Sequence, residues 1–263
     1  MYYVSLPDNR LQRLSFYLAM EEYVAHHLET LLPEEKGASP GSVPLPLGQD
    51  AAWAGGGLRE AFFLWQVEPS VIFGRNQVME NEVDIDFCRA HGIQTYRRKS
   101  GGGCVYADRG NVMFSYITRS TEVNFTFHRF ISMLMLVLRR LGLEATASER
   151  NDVMVNGRKV SGTAYYRLPK ASIVHGTMLY DTTMSNMAGA LTPPREKLQR
   201  HGVESVPQRI GLLKDYISLS QEEFIAFARQ TLCNRELRLT ASDMEAIGRL
   251  EQEYLSDDFI HLK

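Results

Sequence analysis

A chain of 263 residues with 44% hydrophobic and 23% charged residues has the composition of an ordinary globular protein, long enough for one large domain or two small ones. Its formal net charge of -2 and pI near 6.4 exclude a general electrostatic draw toward nucleic acid or anionic membrane. No run approaches the ~20 apolar residues that cross a bilayer, and the opening MYYVSLPDNR lacks the basic-then-apolar pattern of a secretory signal. Cys88, Cys104 and Cys233 show neither CxxC nor Cys/His ligand spacing, so a reducing cytoplasm is the expected compartment.

In chain order, Met20, Tyr23, Val24, Leu28 and Leu31 recur at helical spacing, which predicts an amphipathic helix over about 13–31 that packing alone explains. Residues 32–57 are rich in Gly and Pro, carry no hydrophobic period and read as a surface insertion within one domain spanning 1–263. Strand-like runs follow at 62–67 and 71–74, then a short helix ending near His91-Gly92, then IQTYRR leading into SGGG. Residues 112–117 alternate as a half-buried strand does. Phe127, Phe130, Ile131, Leu134, Val137 and Leu141 mark a core helix stopped by Gly142. VMV-Asn156-Gly157-RKVSGTAYY predicts a β-hairpin, since Asn-Gly is the pair best suited to a type I′ turn. Beyond Pro193-Pro194 the chain is expected to be helical through 216–263, with capping boxes at Ser220/Glu223 and Ser242/Glu245. Strands and helices do not alternate strictly, so the fold class is α+β, a mixed or antiparallel central sheet flanked by helices.

The chemistry-bearing text begins at Arg97-Arg98-Lys99-Ser100-Gly101-Gly102-Gly103-Cys104-Val105-Tyr106. Glycines let backbone N–H groups converge on phosphate or carboxylate oxygens while flanking Arg and Lys supply charge, although three glycines alone are a common flexible turn. Neither a P-loop nor a dinucleotide fingerprint is present. A second element joins Asn151-Asp152 to the hairpin bearing Lys159. An ammonium on a rigid hairpin can stabilise charge at an α-phosphate, and one carboxylate with substrate phosphates is a common Mg²⁺ arrangement, so Asp152 is a candidate metal ligand. The bland alternative is a solvated hairpin lysine after an Asn-Asp turn. The third element, Val174-His175-Gly176-Thr177, places His175 in a strand, where a hydrogen-bonded structural histidine is the default.

These blocks resemble the lipoate-protein ligase A family. The matching text is Phe73-Gly74-Arg75-Asn76-Gln77, RRKSGGGCVYADRGN at 97–111, RNDVMVNGRKVSGTAYY at 150–166, HGTMLY at 175–180 and HGVESVPQRIGLL at 201–213. The resemblance implies the fold of biotin protein ligases and class II tRNA synthetases. It implies a two-step reaction in which ATP and lipoate give lipoyl-adenylate, which then acylates a lysine of a carrier domain. The carriers implied are lipoyl domains of 2-oxoacid dehydrogenases or a glycine cleavage H-protein. By position, Lys159 matches the family's essential lysine. Arg98, Gly103, Cys104, Val105 and Tyr106 match contacts to nucleotide and lipoyl group, and Ser100, Gly101 and Gly102 shape their loop. Asn151 and Asp152 match a polar pair near phosphates and Mg²⁺, while His175 and Thr177 match a strand lining the acyl channel. The family's accessory domain would begin where this chain ends, so a separate small accessory protein is expected.

One departure keeps an alternative open. Position 104 is usually a small non-thiol residue, so Cys104 admits an ATP-independent octanoyl or lipoyl transferase working through an acyl-cysteine; packing is the commoner fate of such a thiol. A non-catalytic acyl or acyl-adenylate binding protein is a further alternative, against which Arg98, Asp152 and Lys159 together argue. Biotin ligation fits RRKSGGGC poorly.

Overall fold

The computed structural model describes residues 1–8, 10–32, 59–148, 152–192 and 209–261. The expected insertion at 32–57 lies outside the described residues except for Leu32, and so does Asn151. The strands are β1 (Tyr2–Ser5), β2 (Glu60–Trp65), β3 (Ser70–Phe73), β4 (Gln94–Arg97), β5 (Val105–Ala107), β6 (Asn111–Thr118), β7 (Ala145–Ala147), β8 (Val153–Val155), β9 (Arg158–Arg167), β10 (Ser172–Leu179) and β11 (Arg235–Arg238). The helices are α1 (Leu14–Leu31), α2 (Ile85–Ala90), α3 (Val123–Arg140), α4 (Met184–Ala190), α5 (Gln221–Leu232), α6 (Ala241–Leu255) and α7 (Asp257–His261).

An eight-stranded sheet runs in the order β11-β1-β2-β6-β10-β9-β8-β7, parallel at the β11-β1-β2 end and antiparallel elsewhere. A three-stranded sheet, β4-β3-β5, stands beside it. The expected mixed sheet flanked by helices is therefore present. One face of the large sheet packs on α1, with α6 outside it, through Phe63, Trp65, Met113, Ile117 and Ile173. The other face packs on α3 and α5 through Phe62, Phe114, Tyr116, Val174 and Met178.

The details differ from the sequence expectation where long-range contacts decide. Helix α1 is buried on nearly all sides from Leu14 to Ala25, because α6 covers the face turned from the sheet. Strand β6 is buried along its whole length and not half-buried, since it lies centrally with a helical layer on each face. The C-terminal part includes β11, which joins the sheet edge beside β1. The Ser220/Glu223 box caps α5 as expected. Helix α6 instead starts from a Thr240/Asp243 box, two residues before Ser242, because the Asp243 carboxylate reaches back to the Thr240 amide at 2.7 Å.

The Asn-Gly hairpin is present: Asn156 and Gly157 have φ of 49° and 74°, which the left-handed region of a type I′ turn requires. Just beyond it the β8–β9 register shifts between Val153 and Met154, leaving Val160 as an extra residue. This bulge turns Val160 and Ser161 away together, so that Lys159 and Gly162 share a face.

Candidate active site

Two features meet over one strip of the sheet. The first is the glycine loop at 100–103, and its construction explains the basic triplet before it. Arg97 donates to the carbonyls of Arg75 and Gln77 at 2.8 Å and of Gly74 at 3.2 Å, and to Ile260 at 2.9 Å. Arg98 donates to the carbonyls of Ile72 (3.0 Å), Gly101 (2.8 Å) and Gly103 (2.7 Å). Burial pulls the Arg98 guanidinium down to about 10, partly countered by Cys104. The Lys99 amine lies 2.7 Å from Glu253 and 3.0 Å from Glu22; burial disfavours its charge, but these carboxylates more than offset that and raise it. The triplet expected to supply charge to an anion is thus turned inward and holds the loop's shape. Arg98, expected to contact nucleotide or lipoyl group, here gives four of its five N–H groups to backbone carbonyls.

From the other side, the Arg75 amide donates to Ser100 carbonyl at 3.0 Å. Gly102 has a φ of 94°, and a Cβ on Gly74 would lie 2.4 Å from its carbonyl oxygen, so the Phe73–Gln77 turn and the loop close on each other only with glycine at both places. Gly101 and Gly102 are exposed. Tyr106 points into the small sheet's core, bonds Asp108 at 3.2 Å, and is pushed up to about 12 chiefly by burial. Val105 packs against the α1 side and Cys104 against the small sheet's core.

The second feature is Lys159. Its amine lies 2.8 Å from Asp152 Oδ1, while Arg209 takes Asp152 Oδ2 at 2.5 Å. The lysine and arginine side chains are 22% and 25% exposed and the carboxylate 8%, so a nearly buried anion aims two cations at a partly open space. The Gly211 amide donates to Lys159 carbonyl at 2.9 Å and Ile210 bridges to Lys159, which sets Arg209 beside the lysine. A Cβ on Gly162 would meet the Lys159 amine at 2.6 Å; glycine there leaves the ammonium its position. Both Asp152 oxygens already hold a cation, and no cluster of His, Cys, Asp or Glu that could hold a metal occurs among the described residues. The arrangement makes Asp152 a counter-ion for Lys159, and Mg²⁺ held at Asp152 would draw its remaining ligands from substrate phosphates.

Strand β10 connects the two features. His175 pairs with Ala164 and Thr177 with Gly162, and directly opposed antiparallel residues share a face. His175 Nε2 lies 2.8 Å from Ser100 Oγ, and two residues along the strand, roughly 7 Å, Thr177 flanks the lysine's glycine. Gly162 and Ala164 keep this strip low and partly exposed. The structure thus brings together Ser100, His175, Thr177, Asp152 and Lys159. Arg209 and Glu21 were not singled out by sequence, and Gly162 stood beside the Lys159 hairpin with no role assigned. Arg209 lay in a matched block without a role, and Glu21 sat in a helix that apolar spacing already explained.

The comparisons with known proteins point one way. The family model described as the lipoyl protein ligase A/B catalytic domain matches residues 50–232. The chain is 30% identical over 247 residues to lipoate-protein ligase LplJ of Bacillus subtilis, covering 90% of this chain and 66% of that protein. It is also 30% identical over 256 residues to lipoate–protein ligase 1 of Staphylococcus aureus, covering 94% of this chain and 70% of that one. The chain therefore spans about two thirds of the length of these relatives. Among solved structures, a bipartite lipoate protein ligase from Thermoplasma acidophilum, described with its E2 lipoyl domain, shares the fold at TM-score 0.74 and 24% identity, covering 99% of this chain and 95% of that one. A lipoate-protein ligase A bound with ATP superposes at TM-score 0.72 and 22% identity, covering 99% and 97%. On its catalytic-domain match and these relatives, the chain belongs to the lipoyl protein ligase A/B family.

Proposed function

We propose that this protein is an ATP-dependent lipoate-protein ligase. The observation that carries the reading is Lys159, aimed by Asp152 and Arg209 over the bare Gly162 on the face of the sheet that the glycine loop borders. The substrate carboxylate attacks the α-phosphorus of ATP, the bond to pyrophosphate breaks, and acyl-adenylate forms. A carrier lysine amine then attacks the acyl carbonyl, the bond to AMP breaks, and an amide results. Negative charge shifts among carboxylate and phosphate oxygens in both steps, and a preorganised ammonium in a partly desolvated site stabilises it. Exposed Gly101 and Gly102 supply N–H donors at the loop.

The choice of lipoate is supported by relatives named for lipoate and by a neighbour solved with lipoic acid. Lipoyl domains are the carriers proposed, by analogy with the archaeal ligase described with its E2 lipoyl domain. By analogy with the bipartite ligase of Thermoplasma acidophilum, an accessory protein assisting adenylation belongs to this reading, and a cytoplasmic location is proposed with it. No described helix is long and apolar enough to cross a membrane.

The test is ATP–pyrophosphate exchange with lipoate, octanoate and biotin side by side, paired with acyl transfer from preformed lipoyl-adenylate. Exchange or transfer with lipoate or octanoate is expected. Activity with biotin alone, or neither half-reaction with any acid, overturns the reading.

A further inference from the structure

A continuous run of buried hydrogen bonds leads from β2, on the sheet face beneath α1, to the glycine loop. Trp65 Nε1 donates to Ser115 Oγ at 2.8 Å, and Ser115 donates to Glu21 Oε1 at 2.5 Å. Glu21 Oε2 lies 2.8 Å from His175 Nδ1, and His175 Nε2 lies 2.8 Å from Ser100 Oγ. Glu21, Ser115 and Ser100 are at most 2% exposed and His175 9%. An apolar residue at position 21 would pack the same cluster without the cost of burying a charge. The carboxylate does what an apolar side chain cannot: as an acceptor beside Nδ1 it holds the proton there, which leaves Nε2 to accept from the Ser100 hydroxyl. Ser100 is then pinned at both ends, by His175 through its side chain and by the Arg75 amide through its carbonyl.

We propose that Glu21 is a positioning residue for the ligand loop, acting through His175 on Ser100 and fixing where the loop's N–H groups point. The claim rests on the ligase reading for its ligand, while the relay itself can be tested without it. The neighbouring Glu22 carboxylate holds Lys99, so adjacent residues of α1 fix adjacent residues at the start of the loop. Loss of the relay acts on ligand affinity, because Lys159 is held by a separate set of groups, Asp152, Arg209 and the Gly211 amide.

The first measurement is ¹⁵N NMR of the histidine rings in the wild-type protein. A His175 signal with its proton on Nδ1 is expected, and a neutral ring protonated on Nε2 overturns the relay whether or not the protein is a ligase. The second is kinetic. Glu21→Gln raises KM for lipoate roughly tenfold with kcat within about twofold, as expected for weakening a hydrogen bond to a charged group away from the reacting atoms. Glu21→Asp falls between the two. In a Ser100→Ala background the effect of Glu21→Gln shrinks to within about twofold, since the residue through which it acts is gone. Fully additive effects, or a fall in kcat at unchanged KM, overturn the proposal. Should Glu21→Gln not fold, Glu21→Asp and the wild-type spectrum decide. A wild type with the expected ring signal but no exchange or transfer removes the ligase reading and leaves the relay standing.

Discussion

Lys159 is held on three sides, by Asp152, by the 210–211 backbone and by the absence of a side chain on Gly162, and each hold gives a measurable consequence. Lys159→Ala is expected to slow adenylate formation by roughly 10²-fold or more, the usual cost of removing one preorganised charge. It also costs about 1–3 kcal/mol of stability, because nearly buried Asp152 loses one of its two cation partners among the described residues and keeps Arg209. Urea denaturation beside the exchange assay measures both. Gly162→Ala separates the two effects. The new methyl crowds the flexible end of Lys159 and touches Asp152 Oδ1 only at an ordinary 3.7 Å, so stability shifts by no more than about 1 kcal/mol, yet the displaced ammonium lowers the rate by up to about 10²-fold. A Gly162→Ala protein of full activity would show that the ammonium's position does not matter. Cys104→Ser is expected to retain activity within about tenfold, with no acyl-thioester in intact-mass spectra, because the side chain packs on the small sheet's core. The histidine of this site is engaged by Ser100 and Glu21. A trapped thioester on Cys104 would favour the transferase. Lys159, Ser100 and His175 were legible because they sit in blocks with a family pattern. Glu21 was not, since its partner His175 lies 154 positions away and nothing local distinguishes it from a solvated helix glutamate.

At the scale of elements, the hairpin bearing Lys159 was legible because Asn-Gly encodes its own turn, and α3 because its apolar stripe has one helical period. The strands β1, β7 and β11, of three or four residues each, were not: so short a run carries no period of its own, and β1 and β11 draw their ladder partners from distant chain. The bulge at Val160 was equally hidden, although it decides which face Lys159 takes. The glycine loop shows why text and role diverge. Arg97, Arg98 and Lys99 read as charge for a ligand, but the loop leaves backbone carbonyls and buried carboxylates that must be satisfied, and these residues satisfy them. Gly74→Ala tests this construction. Its methyl would press on the Gly102 carbonyl, which is backbone and cannot swing aside, so about 1–3 kcal/mol of stability is lost together with nucleotide binding. Calorimetric titration with ATP and thermal unfolding measure the pair of effects; unchanged ATP affinity would show that the loop's shape does not govern nucleotide binding.

At the scale of the molecule, the two faces of the sheet bury different polar groups. The α3 and α5 side is a mainly apolar core that also buries the Glu60–Arg129 ion pair with Tyr116, whereas the α1 side carries the buried polar run that ends at the loop, with Lys159 and its glycine on the same surface of β9 and β10. The mixed-sheet class was legible from element types, but the layering was not, because it depends on α6 covering α1. The central claim is that this surface carries acyl transfer to a carrier lysine through an adenylate, with Lys159 at the reacting phosphate. The most direct measurement is intact-mass analysis of a lipoyl domain after incubation with the purified protein and preformed lipoyl-adenylate. The account predicts a gain of one lipoyl group on the domain's acceptor lysine, with release of AMP, and a rate roughly 10²-fold lower in Lys159→Ala; no gain with the wild type, or an equal gain with Lys159→Ala, would contradict it.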